Sequence, residues 1–235
     1  MPRLRLSVCS FIVTLGALAQ PAPAWSITAG QIDDFQEGTT AGWGVGVVSP
    51  VPPVNVASGG PDGAGDAYLE LTSLGGGGPG SRLAVDNAVQ WAGDYIAEGI
   101  TGVVLDADLF SANPVSLRLG LIGPGGAFAS ATPVVLPAFS GWQLADFSLD
   151  AADLVAVSEG ATLNLTLSNV TSLRVFHSAG PPTLPAGGIP TGSPSSRASA
   201  STTSKRFPSP RSRCSLPLAW PPCFPCRDGT RAMRV

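Results

Sequence analysis

The sequence predicts an all-β protein built as an antiparallel β-sandwich. Short runs of β-favouring residues recur between residues 30 and 176, separated by Gly, Pro, Asn and Asp. Two of these runs, 116–121 and 162–167, alternate leucine with another residue, as half-buried strands do. Helical periodicity is weak, since the one short helix that the pattern allows, 87–98, is interrupted by Gly93. Many short strands with frequent turns are typical of a sandwich.

Each predicted strand is a run of apolar, β-branched or aromatic residues bounded by turn residues. The predicted strands are 67–72, 82–85, 102–110, 115–122, 133–136, 142–149, 162–167 and 172–176. In 116–121 the leucines share one face and Arg118 lies on the other. In 162–167 three leucines are expected to point inward and three polar residues outward. The glycine-rich stretch 74–80 is predicted to be a surface loop.

The N-terminus has the three regions of a cleavable signal peptide, in order. A basic stretch at 1–5 precedes an apolar run at 6–19, and Ala22 and Ala24 supply the small residues that a signal peptidase accepts. The apolar run is shorter than the roughly 20 residues that a membrane span requires. We therefore expect cleavage after Ala24, a mature chain that begins at Trp25 and is exported, and no retained membrane anchor.

Charge divides the remaining chain into two parts. Residues 25–180 contain three basic and 15 acidic side chains, whereas 181–235 contain eight basic side chains and one acid. This predicts a signal peptide at 1–24, a β-sandwich domain at 25–180 and a disordered low-complexity tail at 181–235. The acidic domain contains no lysine, so nucleic acid is a poor partner for it. It contains no cysteine either, so its stability depends on its core.

The stretch 32–43, IDDFQEGTTAGW, resembles the opening strand of galactose-binding-like and laminin-B-like jelly rolls. Further matches follow in chain order at 67–71, 78–83, 91–95, 117–119 and 141–142. The set is similar to the exported sandwich domains of PEP-CTERM proteins, which a membrane-bound exosortase sorts to the bacterial cell surface. The resemblance covers residues 32–177 and implies a jelly-roll sandwich that is secreted or held at the cell surface.

Proteins of that family end in a Val-Pro-Glu-Pro motif, an apolar helix and a basic cluster. This chain ends differently, but reading residues 203–210 one base earlier permits Ile-Glu-Ala-Val-Pro-Glu-Pro, if most third codon positions are G or C. In the same frame, 214–223 becomes a run of Ala, Leu and Gly. We interpret the tail as a sorting signal lost by a frame shift. The chain as written is then expected to be released from the membrane.

Aromatic side chains are the first candidates for ligand binding, because an exposed ring can stack on a sugar. Trp91 and Tyr95 lie in a predicted loop, where binding residues concentrate, although such residues also fill sandwich cores. Trp43 and Trp142 follow glycines at strand starts and are expected to be structural. Trp91 and Tyr95 are therefore the predicted stacking residues.

Charged side chains supply the remaining candidates. Arg82 and Arg118 are included as ligand-binding residues because basic groups are so scarce in this domain, although each could simply balance neighbouring acids. Asp33, Asp34 and Glu37 match the place where jelly-roll sugar-binding modules hold a structural calcium through oxygen ligands. Calcium is the one cofactor that the resemblance suggests.

The sequence contains no recognisable catalytic constellation. His177 is the only histidine and is expected at the end of a strand, and no nucleophile elbow occurs. The expected function is therefore an exported, non-catalytic module that binds carbohydrate or belongs to a surface matrix. Paired carboxylates among the acids leave a polysaccharide hydrolase or lyase as an alternative. A purely structural matrix protein is the third possibility.

Overall fold

The computed structural model describes residues 27–45, 49–75 and 80–182, together with the backbone of 199–206. The predicted signal peptide and the rest of the predicted tail beyond residue 182 lie outside these described residues. Within them the chain forms strands and one short helix, in the order β1 (Trp43–Gly44), β2 (Val54–Val56), β3 (Tyr68–Thr72), β4 (Ala84–Asn87), β5 (Gly102–Leu109), β6 (Val115–Gly123), β7 (Gly126–Ser130), β8 (Val134–Leu136), β9 (Gln143–Ser148), β10 (Leu154–Ala156), α1 (Leu163–Leu167), β11 (Ser172–His177) and β12 (Ser199–Arg206).

The strands form two sheets, in which every pairing is antiparallel. The seven-stranded sheet has the order β1-β4-β11-β6-β7-β10, with β8 also paired to β6, and the five-stranded sheet has the order β2-β3-β12-β5-β9. Side chains from both sheets meet in one hydrophobic core. The prediction of an all-β, antiparallel β-sandwich is confirmed.

The hydrophobic core lies on the side of each sheet to which every second residue of the central strands points. In β6, Leu117, Leu119 and Leu121 are buried on the inner face, as predicted. In β5 the same period buries every second residue from Val103 to Leu109. Because side chains of a strand point alternately to its two faces, each sheet offers one apolar face to the other. Removal of these apolar side chains from water supplies the main driving force for the packing of the two sheets.

Seven of the predicted strands are confirmed, with ends shifted by at most two residues. The sequence pattern did not indicate β1, β2, β7 or β10, which are short or rich in Gly and Ala. The resemblance implied a strand at the start of 32–43, but only Trp43–Gly44 is extended and paired there. Residues 88–99 form turns, so the short helix allowed by the pattern at 87–98 does not exist.

The strand predicted at 162–167 is wrong, because α1 occupies this segment. Leu165 is 50% exposed and Thr166 is fully buried, which is the reverse of the expected alternation. The Thr166 hydroxyl donates a hydrogen bond to the Gly126 carbonyl at 3.0 Å. A Cβ added at Gly125 would lie 2.2 Å from the Thr162 carbonyl, so the glycine turn between β6 and β7 lets α1 pack directly on it.

Among the described residues, no helix is long and apolar enough to cross a membrane.

The strand β12 lies inside 181–235, the segment for which a disordered tail is predicted, and its pairing with β5 is interrupted by a register shift between Thr203 and Lys205. Its backbone lies between β3 and β5, where 199–202 pair with Leu69–Thr72 and 200–206 pair with Val104–Leu109. An antiparallel ladder is made by backbone groups, so a polar sequence without apolar alternation can still form it. Without β12, the strands β3 and β5 of the five-stranded sheet would each present a row of unpaired backbone groups.

We expect Thr202→Pro to destabilise the domain, because Thr202 is paired with both neighbouring strands. Proline removes a backbone donor from the middle of the sheet and its ring disturbs the ladder, so the free energy of unfolding should fall by about 2–3 kcal/mol. Thr202→Val keeps the donor and the β-branch and serves as the control. Equal stability of the two variants in urea titrations would show that 199–206 is not part of the sheet.

Candidate functional site

A buried carboxylate, that of Asp33, is 4% exposed and accepts several side-chain hydrogen bonds. The indole nitrogens of Trp43 and Trp91 both donate to its Oδ2 atom, each at 2.6 Å. The side-chain amide of Gln90 donates to Oδ1. A buried carboxylate needs such donors, since burial without hydrogen bonds would be very costly. Asp33 therefore holds the two tryptophans in place.

The prediction that Trp91 and Tyr95 stack on a ligand is wrong, because both side chains are 0% exposed. The Tyr95 hydroxyl donates to the Trp91 carbonyl at 2.9 Å, and burial raises the pKa of this hydroxyl. Two backbone hydrogen bonds of 2.8 Å between Gly93 and Val170 fold the segment back onto the sandwich. The loop between β4 and β5 thus contributes to the core rather than to an accessible surface.

Arg118 is also placed differently from the prediction. It lies on the outer face of β6, but it is only 4% exposed. Its guanidinium donates to four backbone carbonyls at 2.6–3.1 Å. They belong to Ser130 at the end of β7, Ala131 directly after it, and Ser178 and Gly180 after β11. The chain segments that follow these strands cover the outer face and bury Arg118. Arg82 is exposed just before β4, so the four predicted binding residues do not form one site.

The predicted calcium residues do line one cleft, of about 210 Å³, together with Ile32 and Thr39. Calcium takes six to eight oxygen ligands with available lone pairs. The Oδ2 atom of Asp33 already accepts two indole hydrogen bonds, and Oδ1 accepts one from Gln90. No group of three or more His, Cys, Asp or Glu side chains in the described ranges is arranged to hold a metal. In this arrangement the Asp33 oxygens serve the indole and amide donors, and calcium binding at Asp33, Asp34 and Glu37 stays a prediction.

An aromatic pair lies elsewhere, on the outer face of the five-stranded sheet. Tyr68 of β3 and Trp142, which directly precedes β9, have ring centroids 5.6 Å apart and an interplanar angle of 70°. The Trp142 indole donates to the Gly59 carbonyl at 3.1 Å, which fixes the orientation of the ring. Trp142 is half-buried, whereas Tyr68 is 8% exposed. Tyr68 points away from the core, because its neighbour Leu69 points into it. Trp142 is therefore the member of the pair that solvent reaches, and Tyr68 packs against it.

Carboxylates accompany this pair on the same face. Glu70 follows Tyr68 by two residues on β3, and Asp106 and Asp108 occupy outer-face positions of β5. Glu70 and Asp108 are both paired with residue 201 of β12, so they stand in one row across the sheet. Partial burial raises the pKa of Asp108, and hydrogen bonds from the backbone of Leu109 and Gly141 oppose this shift. Aromatic rings beside acceptor groups are suited to a ligand with apolar faces and hydroxyl edges.

Sequence reasoning missed this group of residues. It assigned Trp142 a structural role and did not separate Tyr68 from the other aromatic residues. Strand parity was the available signal, because Tyr68 alternates with Leu69 and Leu71, which are buried apolar residues. His177 does end β11 as predicted; it is buried, with Nδ1 2.9 Å from the Ser116 amide nitrogen, and it lies on the other sheet. Burial lowers the pKa of His177.

Comparison with known proteins gives a likeness in fold. No protein-family model matches the chain, and no curated protein matches its sequence. An exo-β-agarase structure is similar with a TM-score of 0.50 and 11% identity, over 74% of this chain and 24% of the agarase. This chain thus spans about a quarter of that enzyme. A family 11 carbohydrate-binding module from Clostridium thermocellum has a TM-score of 0.46 and 13% identity, over 78% of this chain and 97% of the module.

We expect Asp33→Leu to lower the free energy of unfolding by about 2–4 kcal/mol, because it leaves two buried indole donors without an acceptor. Asp34→Leu is the matched control: it changes the neighbouring, exposed carboxylate and should cost under about 1 kcal/mol. Near-ultraviolet circular dichroism should show a loss of tryptophan signal in the first variant alone. Equal stability of the two variants would contradict the role given to Asp33.

Proposed function

We propose that the domain binds carbohydrate on the outer face of the five-stranded sheet, with Trp142 as the stacking residue and Tyr68 as the ring that packs against it. The observation that carries this proposal is this edge-to-face aromatic pair on the outer face of the sandwich, in which the half-buried Trp142 reaches solvent. A pyranose ring presents C–H groups on its faces and hydroxyls around its edge. Aromatic rings pack on the faces, while the carboxylates of Glu70 and Asp108 accept hydrogen bonds from the hydroxyls.

We propose a binding module rather than an enzyme. The fold is shared with only a quarter of an exo-β-agarase, so the activity of that enzyme is not transferred to this chain. Agarose is nevertheless a reasonable first polysaccharide to test. β-1,3-1,4-Mixed-linked glucan is the second, because a family 11 carbohydrate-binding module has been solved with a tetrasaccharide of this type. The proposed partner is therefore a polysaccharide, either free or part of a cell-surface matrix.

The test is affinity electrophoresis and calorimetry with soluble agarose and mixed-linked β-glucan. We expect the wild type to bind one of them and Trp142→Ala to lose about fivefold to tenfold in affinity, since a stacking contact is worth about 1–1.5 kcal/mol. Leu165→Ala, which removes an exposed apolar side chain from α1, should bind like the wild type. Unchanged affinity in Trp142→Ala would reject this face. A glycan array without any binding would favour a purely structural matrix role.

We also propose that the chain acts outside the cytoplasm, secreted or at a bacterial cell surface. The support is the order of basic, apolar and small residues over the first 24 positions. Expression with secretion should yield a mature protein that begins at Trp25, and the intact mass of the secreted chain measures this directly. Secreted protein that keeps Met1 would contradict the proposed cleavage after Ala24.

A further inference from the structure

A second pair of aromatic side chains lies exposed near the Tyr68–Trp142 pair. Phe139, in the connection between β8 and β9, is 69% exposed, and Phe110, directly after β5, is 46% exposed. The Phe139 amide donates a hydrogen bond of 3.2 Å to the Ser111 carbonyl. This hydrogen bond joins the two segments, because Ser111 follows Phe110 in the chain. We call Phe110 and Phe139 the phenylalanine platform.

The backbone of Phe139 has an unfavourable conformation, and the exposed ring gains no burial free energy that would compensate for it. Its φ of +51° lies in the left-handed region, which costs a residue with a Cβ about 1–2 kcal/mol. Phe35 has a similar φ of +55°, but its ring is 3% exposed and gains the free energy of burial in the core. Phe139 gains no such burial. Next to it, the Ser140 hydroxyl is buried without a hydrogen-bond partner in the described structure. Such local costs collect where a segment serves binding.

The phenylalanine platform continues the face that carries the proposed site. In the alternation of β5, Asp106, Asp108 and Phe110 fall on the outer side of the sheet. Phe110 is two residues beyond Asp108, a step of about 7 Å along the chain. Gln143 is paired with Ala107 in an antiparallel ladder. Trp142, one residue before Gln143, therefore lies opposite Asp108, one residue after Ala107. Only two residues separate Phe139 from Trp142 in the chain.

We propose that Phe110 and Phe139 form a second stacking platform, so that the ligand is an extended glycan chain that contacts both aromatic pairs. This inference rests on the proposed carbohydrate-binding function. A monosaccharide is too short to contact both Trp142 and a platform that lies two residues, or about 7 Å, further along the strand. A chain of linked sugars can place one ring on each platform and gain both stacking contacts. Two linked contacts raise the affinity for long chains well above the affinity for short ones.

The test compares monosaccharides with hexasaccharides prepared from agarose and from mixed-linked β-glucan, by calorimetry. The wild type should bind the hexasaccharide more than tenfold more tightly than the monosaccharide. Phe139→Ala should lose about tenfold in hexasaccharide affinity and leave the monosaccharide affinity unchanged. Trp142→Ala should lose affinity for both lengths. Ile96→Ala, which shortens a 52% exposed side chain in the loop between β4 and β5, is the control and should leave both affinities unchanged.

Phe139→Gly separates binding from folding, because glycine accepts a positive φ without strain. This variant should melt at the same temperature as the wild type or higher, and it should lose the same hexasaccharide affinity as Phe139→Ala. A lower melting temperature would mean that the ring serves the fold, which overturns the proposal.

Other outcomes separate this inference from the proposed function. If Phe139→Ala binds the hexasaccharide like the wild type while Trp142→Ala does not bind, the phenylalanine platform is rejected and the carbohydrate site stands. If the wild type binds neither length from either polysaccharide, both proposals fail. If size-exclusion chromatography shows a dimer that Phe139→Ala dissociates, the platform contacts a second copy of the chain, and the glycan proposal is overturned.

Discussion

The carboxylate of Asp33 joins three parts of the chain that the sheets alone would leave separate. It lies in the segment before β1, and it accepts hydrogen bonds from Trp43 of β1 and Trp91 of the loop between β4 and β5. A buried charge is tolerated only when such partners surround it, so the two large rings must take the positions that reach it. Their centroids are 6.3 Å apart, and together they close one end of the core. An acid suggestive of a metal ligand thus acts as an internal acceptor for aromatic donors.

The five-stranded sheet depends in a similar way on the last described strand. β12 lies between β3 and β5, although β6, β7 and β11 of the other sheet come between β5 and β12 in the chain. Tyr68 and Glu70 on β3 therefore keep a defined distance from Asp108 on β5 only when this segment is paired between them. Two strand spacings, or about 10 Å, then separate the two carboxylates. The proposed binding face is in this sense completed by the C-terminal part of the chain.

Aromatic residues in this domain differ sharply in the free energy that their burial contributes. Trp91 and Tyr95 are fully buried and contribute to the core, whereas Phe139 is largely exposed on a backbone that disfavours it. Burial of a large ring contributes about 2–3 kcal/mol, so an exposed ring in a strained loop is a net cost to folding. The proposed glycan contact would offset this cost.

The sequence by itself determined the class of fold and the inner faces of the central strands. Leucines with a period of two in β6, and the turn residues between strands, are local properties, and a sheet that buries one face must follow them. It also indicated the acidic charge of the domain and its lack of disulfides.

The location of the candidate site was decided by the tertiary structure. Residues 162–167 alternate like a strand, yet packing against Gly125 makes them helical, and Arg118 is on the predicted face, yet later segments cover it. Which of the aromatic residues reach solvent was decided by contacts between distant segments, such as Asp33 with Trp91 and Gly59 with Trp142. Local periodicity cannot report these contacts, because they depend on which chain segments the fold brings together.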